Sequence, residues 1–279
     1  MIITLLTDFG VADYFVGALK GAILSVNARA RIVDLTHEIP AHDIRAGAFT
    51  LLAAYESFPP GTIHVAVVDP GVGSARRPLL IAARDCFFVG PDNGLFSYVR
   101  EREREARVYQ LTNENFFRAP VSATFHGRDI FAPIAGALSR NVPPETLGEL
   151  IDDEVRLAPL CPMRDESAAW SATIIHIDRF GNLITNITPR ELSDEEFAQG
   201  TRLEIGGRAV NSFRRFYAEE ANGAADEPFA IWGSAGFLEV ACNGASAAHL
   251  LRAERGQIVR VAGVETAEKF ARRPSPPGS

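Results

Sequence analysis

Short apolar runs alternate with amphipathic stretches along the first half of the chain. Ile2–Thr7 is a short, mainly apolar run that ends at an Asp-Phe-Gly sequence, so it predicts a buried strand followed by a loop. Phe15–Val26 has apolar residues at helical spacing and predicts a helix. Further predicted strands are Arg31–Leu35, Gly61–Val68, Leu79–Ala83 and Cys86–Val89, and further predicted helices are Asp43–Phe58 and Asp129–Ser139. This β-α-β order predicts a largely parallel sheet covered by helices.

The pattern changes near residue 160. Beyond it the chain is dominated by short strand-like segments between glycine turns, namely Ser171–Ile177, Leu183–Ile187, Arg202–Ile205, Phe229–Trp232, Phe237–Ala241 and Ile258–Val261. One helix start is clear, because Ser193 and Glu196 have the spacing of a capping box. We expect an α/β domain over 1–160, a linker over 161–169, a smaller β-barrel domain over 170–264 and a flexible Pro- and Gly-rich tail over 265–279.

Composition narrows the class of protein. The chain has 279 residues, 28 Lys plus Arg against 35 Asp plus Glu, and a formal charge of −7. That balance argues against a nucleic acid or an anionic membrane as a partner bound through bulk charge. The apolar runs are too short to span a bilayer, and the N-terminus lacks the basic region of a signal peptide. The three widely spaced cysteines fit neither a disulfide framework nor a zinc site, which favours a cytoplasmic location.

Three polar loops follow predicted elements of the α/β half. They are Thr7–Gly10 with Asp13 beyond it, Asp69–Arg77, and Phe125–Asp129 at the start of a helix. In open α/β sheets ligands bind at the C-terminal ends of the strands, so these loops are the candidate site. The motifs of several other enzyme classes are absent from the sequence: the chain has no P-loop, no nucleophile elbow and no histidines at metal-ligand spacing.

Each loop residue also has a purely structural interpretation. Asp8 could cap a turn, and Asp69 could belong to ordinary turn chemistry. Arg76 could be a solvated surface residue, and His126 a hydrogen-bonded structural histidine. An Arg128–Asp129 pair at the helix start is more plausibly structural than catalytic.

Two histidines lie close together after the second predicted strand. His37 and His42 flank Glu38 and Asp43, so the segment could hold a metal ion. A solvated loop is the simpler interpretation.

The second half contains two dense motifs, Asp178–Asn186 and Trp232–Ser246. They could be hairpins with buried aromatic residues. Taken alone, the hairpin is the simpler interpretation; the alternative is a pocket for a flat polar ring, with aromatic side chains stacking on its face and amide and backbone groups contacting its edge.

Taken together, these motifs resemble the S-adenosylmethionine hydroxide adenosyltransferases, relatives of the fluorinase and chlorinase halogenases. The similarity runs from about residue 1 to 262 and keeps the family's motif order. The resemblance implies an α/β domain followed by a β-barrel domain, and a homotrimer that binds S-adenosyl-L-methionine between the N-terminal domain of one subunit and the C-terminal domain of its neighbour. Water or hydroxide would attack ribose C5′ and release adenosine and L-methionine, with no metal or other cofactor.

The resemblance also implies residue roles. The water-handling triad corresponds to Asp69, Arg76 and His126. The ribose-binding aspartate corresponds to Asp8, and a carboxylate near the methionine end to Asp13. The pocket for the base and the methionine portion corresponds to Phe180, Asn182, Asn186, Ser234 and the backbone near Asn243 and Gly244.

Two other functions remain open at this point. In the fluorinase branch, tyrosines occupy the positions of Asp69 and His126, and a halide-binding serine occupies that of Gly127. A glycine offers no hydroxyl to replace a halide's hydration, and Asp69 would repel an anion, so these residues favour water as the nucleophile. A halogenase and a non-catalytic S-adenosylmethionine-binding protein are the alternatives.

Overall fold

This computed structural model describes residues 1–164, 170–219 and 227–262. The chain divides into an N-terminal unit, Met1–Pro159, and a C-terminal unit, Leu160–Ser279. The predicted tail over 265–279 lies outside the described residues, as do 263–264 of the predicted barrel domain and 165–169 of the predicted linker. Across the described ranges we find no helix with the length and apolar character needed to cross a membrane.

The N-terminal unit is built on a seven-stranded sheet with the order β2-β1-β3-β5-β4-β6-β7. Its strands are β1 (Ile2–Thr7), β2 (Arg31–Thr36), β3 (Thr62–Val67), β4 (Pro78–Ala82), β5 (Cys86–Pro91), β6 (Arg107–Leu111) and β7 (Gly148–Ile151). The pairings of β1, β2, β3 and β5 are parallel, whereas β4 and β7 run against their neighbours. The sheet is therefore mostly parallel, as predicted.

Five short helices accompany this sheet in the described residues. They are α1 (Phe15–Val26), α2 (Ile44–Ala54), α3 (Ser97–Arg102), α4 (Ala132–Leu138) and α5 (Pro144–Leu147). The Asp43 side chain accepts a hydrogen bond from the Ala46 amide at 2.9 Å, so it caps α2 instead of beginning the helix as predicted. The apolar faces of α1 and α4 pack with β1 and β3 in one buried core.

The predicted helix over Asp129–Ser139 does not begin as expected. A π-helical turn over Gly127–Phe131 precedes α4. The wider turn inserts an extra residue into the helical repeat, which a periodicity of 3.6 residues does not reveal.

The topology determines which connecting segments lie together at one edge of the sheet. Because β1, β2 and β3 are parallel neighbours, the segments that follow them leave the sheet at the same edge. These segments begin at Asp8, His37 and Val68. This edge forms the framework of the candidate site.

The C-terminal unit consists mainly of strands. They are β8 (Met163–Arg164), β9 (Trp170–Ile177), β10 (Leu183–Thr185), β11 (Arg202–Ile205), β12 (Arg208–Val210), β13 (Ser212–Arg214), β14 (Phe229–Trp232), β15 (Leu238–Ala241) and β16 (Ile258–Ala262). They pair in the order β12-β11-β16-β9-β10-β15-β14-β13, with β8 beside β9. The resulting sheet is nearly barrel-shaped, so the predicted fold class is confirmed for both units.

Two short helices complete this unit in the described residues, α6 (Asp194–Ala198) and α7 (Ala247–Leu251). The predicted capping box is present at α6, because Ser193 Oγ accepts from the Glu196 amide and the Glu196 carboxylate accepts from the Ser193 amide. Within the predicted linker, β8 pairs with β9.

Candidate active site in the N-terminal unit

A pocket of about 290 Å³ opens at the C-terminal edge of the parallel strands. Its lining residues are Asp8, Phe9, Phe15, Ala41, His42, Val67, Asp69, Val72, Thr124, Phe125, His126 and Gly127. The loops Thr7–Gly10, Asp69–Arg77 and Phe125–Asp129 all contribute residues to the pocket lining, so the structure brings Asp8, Asp69 and His126 together. Apolar rings and acidic groups share the lining, a combination that suits a ligand with a flat or cationic part.

Arg76 links two of these pocket residues. Its Nε donates to both carboxylate oxygens of Asp69 at 3.0 Å, and its Nη2 donates to Asp69 Oδ2. The same Nη2 donates to His126 Nδ1 at 2.8 Å. Asp69, Arg76 and His126 therefore form one hydrogen-bonded chain with the arginine at its centre.

This chain is shielded from solvent. The Arg76 side chain is 8% exposed and the Asp69 side chain is 5% exposed. The Arg76 guanidinium also lies over the Phe131 ring at 5.3 Å. These contacts exclude the interpretation of Arg76 as a solvated surface residue. Arg76 Nη1 is buried and makes no hydrogen bond to the described residues, so the guanidinium retains donor capacity.

The bond from Arg76 fixes the state of the His126 ring. A guanidinium can only donate, so Nδ1 must accept and the proton of the neutral ring resides on Nε2. Burial lowers the pKa of His126, and the positive charge of Arg76 lowers it further, against weaker opposition from Asp69 and Asp129. His126 is accordingly neutral at pH 7, with its Nε2–H available as a donor.

Asp8 is held at the mouth of the pocket by one of its two oxygens. Its Oδ2 accepts from the His42 amide at 2.9 Å. His42 adopts a left-handed backbone with φ of 66°, a conformation that is uncommon for a residue with a Cβ and that points its amide at Asp8. Asp13, by contrast, is exposed and does not line the pocket.

The Arg128–Asp129 pair has the structural role predicted for it. Arg128 Nε and Nη2 donate to Asp129 Oδ1 and Oδ2 at 2.7 and 2.8 Å. Asp129 also accepts from the Ser122 amide at 2.9 Å, which ties the π-helical turn to the preceding loop. Burial opposes ionisation of Asp129, but the bonds from Arg128 and Ser122 outweigh it and lower the pKa of Asp129.

The surroundings of Gly127 are apolar. A Cβ at this position would lie 3.3 Å from Leu19, 3.4 Å from Phe125 and 3.6 Å from Phe9. A hydroxyl here would face hydrocarbon on three sides.

The interpretation of His37 as part of a solvated loop is wrong. His37 is 4% exposed, and its Nδ1 lies 2.8 Å from Thr7 Oγ1. His42 is exposed, as that interpretation required. Among the described residues, no group of three or more histidine, cysteine, aspartate or glutamate side chains could hold a metal ion.

The candidates in the C-terminal unit fall into two groups at opposite ends of β15. Phe180 and Asn182 lie in the turn between β9 and β10, beside the segment with Asn243 and Gly244 that follows β15. Phe180 is 78% exposed, so its ring is free to stack on a ligand. Asn182 is buried and donates its side-chain amide to Asp178 Oδ2 at 2.8 Å.

The other group lies near the end of β10. Asn186 is buried, and its Oδ1 accepts from the Thr173 amide at 2.7 Å. Ser234 is exposed in the turn between β14 and β15. Asn186 therefore has a structural bond that the motif did not reveal.

Sequence reasoning missed two features. The segment after β2, with Ala41 and His42 in the pocket wall, belongs to the site, and its position after a strand parallel to β1 was the signal that could have found it. In the C-terminal unit, the Tyr217 hydroxyl donates to Glu239 Oε2 at 3.3 Å. Burial raises the pKa of Glu239, and the nearby Asp178 carboxylate raises it further. No sequence motif indicated that contact.

An α/β unit with a partly acidic pocket at its strand ends, followed by a strand-rich unit, defines a two-domain enzyme that acts on a small molecule. The chain belongs to the SAM hydroxide adenosyltransferase family: the family's N-terminal domain matches residues 3–148 and its C-terminal domain matches residues 172–260.

Named relatives agree with that family. An (R)-S-adenosyl-L-methionine hydrolase from Methanocaldococcus jannaschii is 38% identical over 252 residues, which cover 86% of this chain and 87% of that protein. A fluorinase from an Actinoplanes species is more distant, with 26% identity over 290 residues, 93% of this chain and 97% of that protein. The crystal structure of an uncharacterized conserved protein from Thermotoga maritima matches with a TM-score of 0.85 and 31% identity, covering 94% of this chain and all of that chain.

Proposed function

We propose that this protein hydrolyses S-adenosyl-L-methionine to adenosine and L-methionine. The observation that carries the proposal is the Asp69–Arg76–His126 chain, two members of which line the pocket that also contains Asp8. The hydrolase names of the relatives at 37–38% identity support it. Those names specify the (R) compound, so we propose the (R) epimer at sulfur as the substrate.

The reaction is a displacement at carbon. A water oxygen forms a bond to ribose C5′, the C5′–S bond breaks, and its electron pair returns to sulfur. Because the sulfonium leaves as a neutral thioether, the leaving group needs no acid, metal or other cofactor. The protein must hold the water in line with the C5′–S bond and accept one proton, and orientation alone can supply several kcal/mol.

The hydrogen bonds favour distinct roles for the three residues. Arg76 places positive charge beside the water and stabilises developing hydroxide. His126 carries its proton on Nε2 and can donate to the water oxygen, but it cannot take a proton while Nδ1 accepts from Arg76. Asp69 keeps free lone pairs beside its bonds to Arg76, so we assign it the role of general base.

The remaining residues bind substrate in this proposal. Asp8 has one oxygen fixed by His42 and offers the other to the ribose hydroxyls. Asp13 contributes negative charge for the ammonium group of the methionine portion. On the C-terminal unit, Phe180 stacks on the base, with Asn182, Asn186, Ser234, Asn243 and Gly244 around the base and methionine portions.

The same residues favour water over halide. The buried carboxylate of Asp69 repels an anion at the position of attack. Gly127 has no side-chain hydroxyl, and the atoms nearest to its Cβ position are carbons of Leu19, Phe125 and Phe9, so this position adds no side-chain donor for a halide. The fluorinase relative is also the more distant one.

The functional assembly is proposed as a homotrimer, with each site between the N-terminal unit of one subunit and the C-terminal unit of its neighbour. A cytoplasmic location is proposed as well. Cys86, Cys161 and Cys242 form no disulfide, which fits a reducing compartment, and burial raises the pKa of Cys86 to about 12, which keeps that thiol unreactive.

Product analysis of an aspartate pair tests the reaction. Purified protein is incubated with a mixture of the two sulfonium epimers, and adenosine, L-methionine and the remaining epimers are quantified by chromatography. Asp69→Asn is expected to lower kcat by at least about 100-fold, since a general base commonly contributes that much, with KM changed by no more than a few-fold. Asp92→Asn is the matched control, because Asp92 is a buried partner of the neighbouring Arg77 that does not line the pocket.

Several outcomes would contradict the proposal. Intact substrate after long incubation with wild-type protein would mean a binding protein. A 5′-halo-adenosine in chloride or fluoride would mean a halogenase. Equal kcat losses in Asp69→Asn and Asp92→Asn would remove Asp69 from the chemistry.

A further inference from the structure

The buried histidine beside β1 has no role in the reaction described above. Thr7 and His37 are both buried, and Thr7 Oγ1 lies 2.8 Å from His37 Nδ1. The same Oγ1 accepts from the Phe9 amide at 3.2 Å, so its own proton is available for Nδ1. Asp8 is the single residue between Thr7 and Phe9. The hydroxyl that His37 engages therefore closes the turn that carries Asp8.

The segment that contains His37 is bonded to the same turn elsewhere. The Gly10 amide donates to the His37 carbonyl at 2.8 Å, and the Ile39 amide donates to the Thr7 carbonyl at 3.3 Å. The amide of His42, further along this segment, donates to Asp8 itself. The segment after β2 therefore binds the turn around Asp8 through backbone hydrogen bonds and binds the Asp8 carboxylate through the His42 amide.

A charged pair lies on the other side of the imidazole. His37 Nε2 is 3.1 Å from Asp34 Oδ1, although poorly aligned for a hydrogen bond, and Asp34 Oδ2 accepts from Lys20 Nζ at 2.6 Å. Burial acts to raise the pKa of Asp34, but its contacts with Lys20 and His37 outweigh burial and lower it. An ionised Asp34 favours the proton on Nε2, which leaves Nδ1 as the acceptor for the Thr7 hydroxyl.

We propose that His37 is a positioning residue for substrate binding, which acts through Thr7 to hold Asp8 in the orientation that receives the ribose hydroxyls. This inference rests on the proposed role of Asp8. His37 is not among the residues that line the pocket, and it acts only through Thr7, so its loss lowers affinity for the nucleoside and leaves the chemical step almost unchanged.

The chain supplies a matched control on the same strand. Thr4 stands three positions before Thr7 on β1, and its Oγ1 lies 2.8 Å from Nδ1 of the buried His64. His64 packs among Tyr55, Phe58 and Phe88, and neither Thr4 nor His64 lines the pocket. Removing either histidine removes the same kind of bond, but the His37 pair alone adjoins Asp8.

The test compares His37→Leu and Thr7→Val with His64→Leu and Thr4→Val. KM and kcat are measured with the (R) epimer of S-adenosyl-L-methionine, the Kd of adenosine by calorimetry, and Tm by thermal unfolding. We expect His37→Leu and Thr7→Val to raise KM and the adenosine Kd by about tenfold or more, with kcat within about threefold. His37→Asn keeps a polar atom near the position of Nδ1 and is expected to restore both constants to within about threefold of wild type. The control pair lowers Tm and leaves KM and Kd unchanged.

A double-mutant cycle separates positioning from a general loss of structure. If His37 acts through Asp8, His37→Leu changes the adenosine Kd by less than about twofold in an Asp8→Ala background. Independent effects of the two substitutions, or equal KM and Kd changes in His37→Leu and His64→Leu, would overturn the proposal. Should His37→Leu not fold, Thr7→Val and His37→Asn still decide it. Wild-type protein that binds adenosine without turnover would refute the proposed reaction, while the Kd comparison would still decide the role of His37.

Discussion

Arg76 donates to both Asp69 and His126, so it orients the Asp69 carboxylate and determines which nitrogen of His126 carries the proton. A lysine could carry the charge but could not make both contacts in this planar geometry. Protonation of His126 would place a second positive charge against the guanidinium and remove the acceptor at Nδ1. In the proposed mechanism, the active form therefore requires neutral His126.

The lowered pKa of His126 predicts an acid limit to activity. Because protonation occurs below the ordinary value of 6.5, kcat is expected to be level at neutral pH and to fall by about tenfold per pH unit once the pH passes below the pKa of His126. His126→Asn preserves an acceptor for Arg76 but does not titrate, so its acid limb is expected to move to lower pH. Adenosine release measured from pH 4 to 8 checks this, and superimposable profiles would assign the limb to another group.

For individual residues, the sequence indicated which side chains belong to the candidate site but not the hydrogen bonds that they make. Asp8 and Asp69 could be predicted because each follows an apolar strand, and His126 because it stands at the start of a predicted helix. The burial of His37 could not, since it depends on a partner 30 positions away on a neighbouring strand. The bond between Asn186 and Thr173 was hidden for the same reason.

At the scale of elements, the segment after β3, which contains Gly73, packs closely against the segment before the π-helical turn, which contains Ala123. Gly73 has φ of 77°, and a Cβ there would lie 2.2 Å from the Ala123 carbonyl oxygen. Arg76 and His126 belong to these two segments, so the close approach of their backbones brings the two side chains within hydrogen-bond distance.

Gly73→Ala is expected to disturb this approach. The variant must shift one loop in addition to adopting a strained backbone, and we expect kcat to fall by tenfold or more. Gly61→Ala is the control, because Gly61 has φ of 83° but a Cβ there meets no atom within 4 Å. It should lose about 1–2 kcal/mol of stability from strain alone and keep its kcat. Chemical unfolding and steady-state kinetics on both variants test this, and an unchanged kcat in Gly73→Ala would contradict it.

The elements themselves were largely predictable. β1 and α1 begin and end at the residues that their apolar patterns predicted. The capping box predicted from Ser193 and Glu196 is present at α6. The start of the helix near residue 129 was not predictable, because the π-helical turn depends on bonds from buried Asp129 to Ser122 and Arg128. Periodicity records apolar faces and carries no information on such polar anchors.

For the whole molecule, the proposed trimer predicts a mass of three times the 30.3 kDa chain by light scattering. It also predicts complementation between two defective variants, Asp69→Asn and Phe180→Ala. When they are co-expressed in equal amounts, about one quarter of the sites combine two intact halves. At low substrate concentration the mixture should therefore exceed the mean activity of the separate variants. A monomeric mass, or activity equal to that mean, would refute a shared site.

The two-domain organisation followed from the change in pattern near residue 160, because parallel and antiparallel sheets leave different periodicities. The order of strands in either sheet did not follow, since pairing joins segments distant in sequence. β1 lies between β2 and β3 and so collects the Asp8, His37 and Asp69 loops at one edge.

The completion of the first sheet at Ile151 has a consequence for synthesis. Asp8, Asp69, Arg76 and His126 all belong to the first 159 residues, and so do the strands that position them. Domains generally fold as units from the N-terminus during translation. The half proposed to handle water can therefore assemble on the ribosome before the strand-rich half has emerged. Errors in the second half would leave the Asp69–Arg76–His126 chain intact while removing the surface proposed to hold the base.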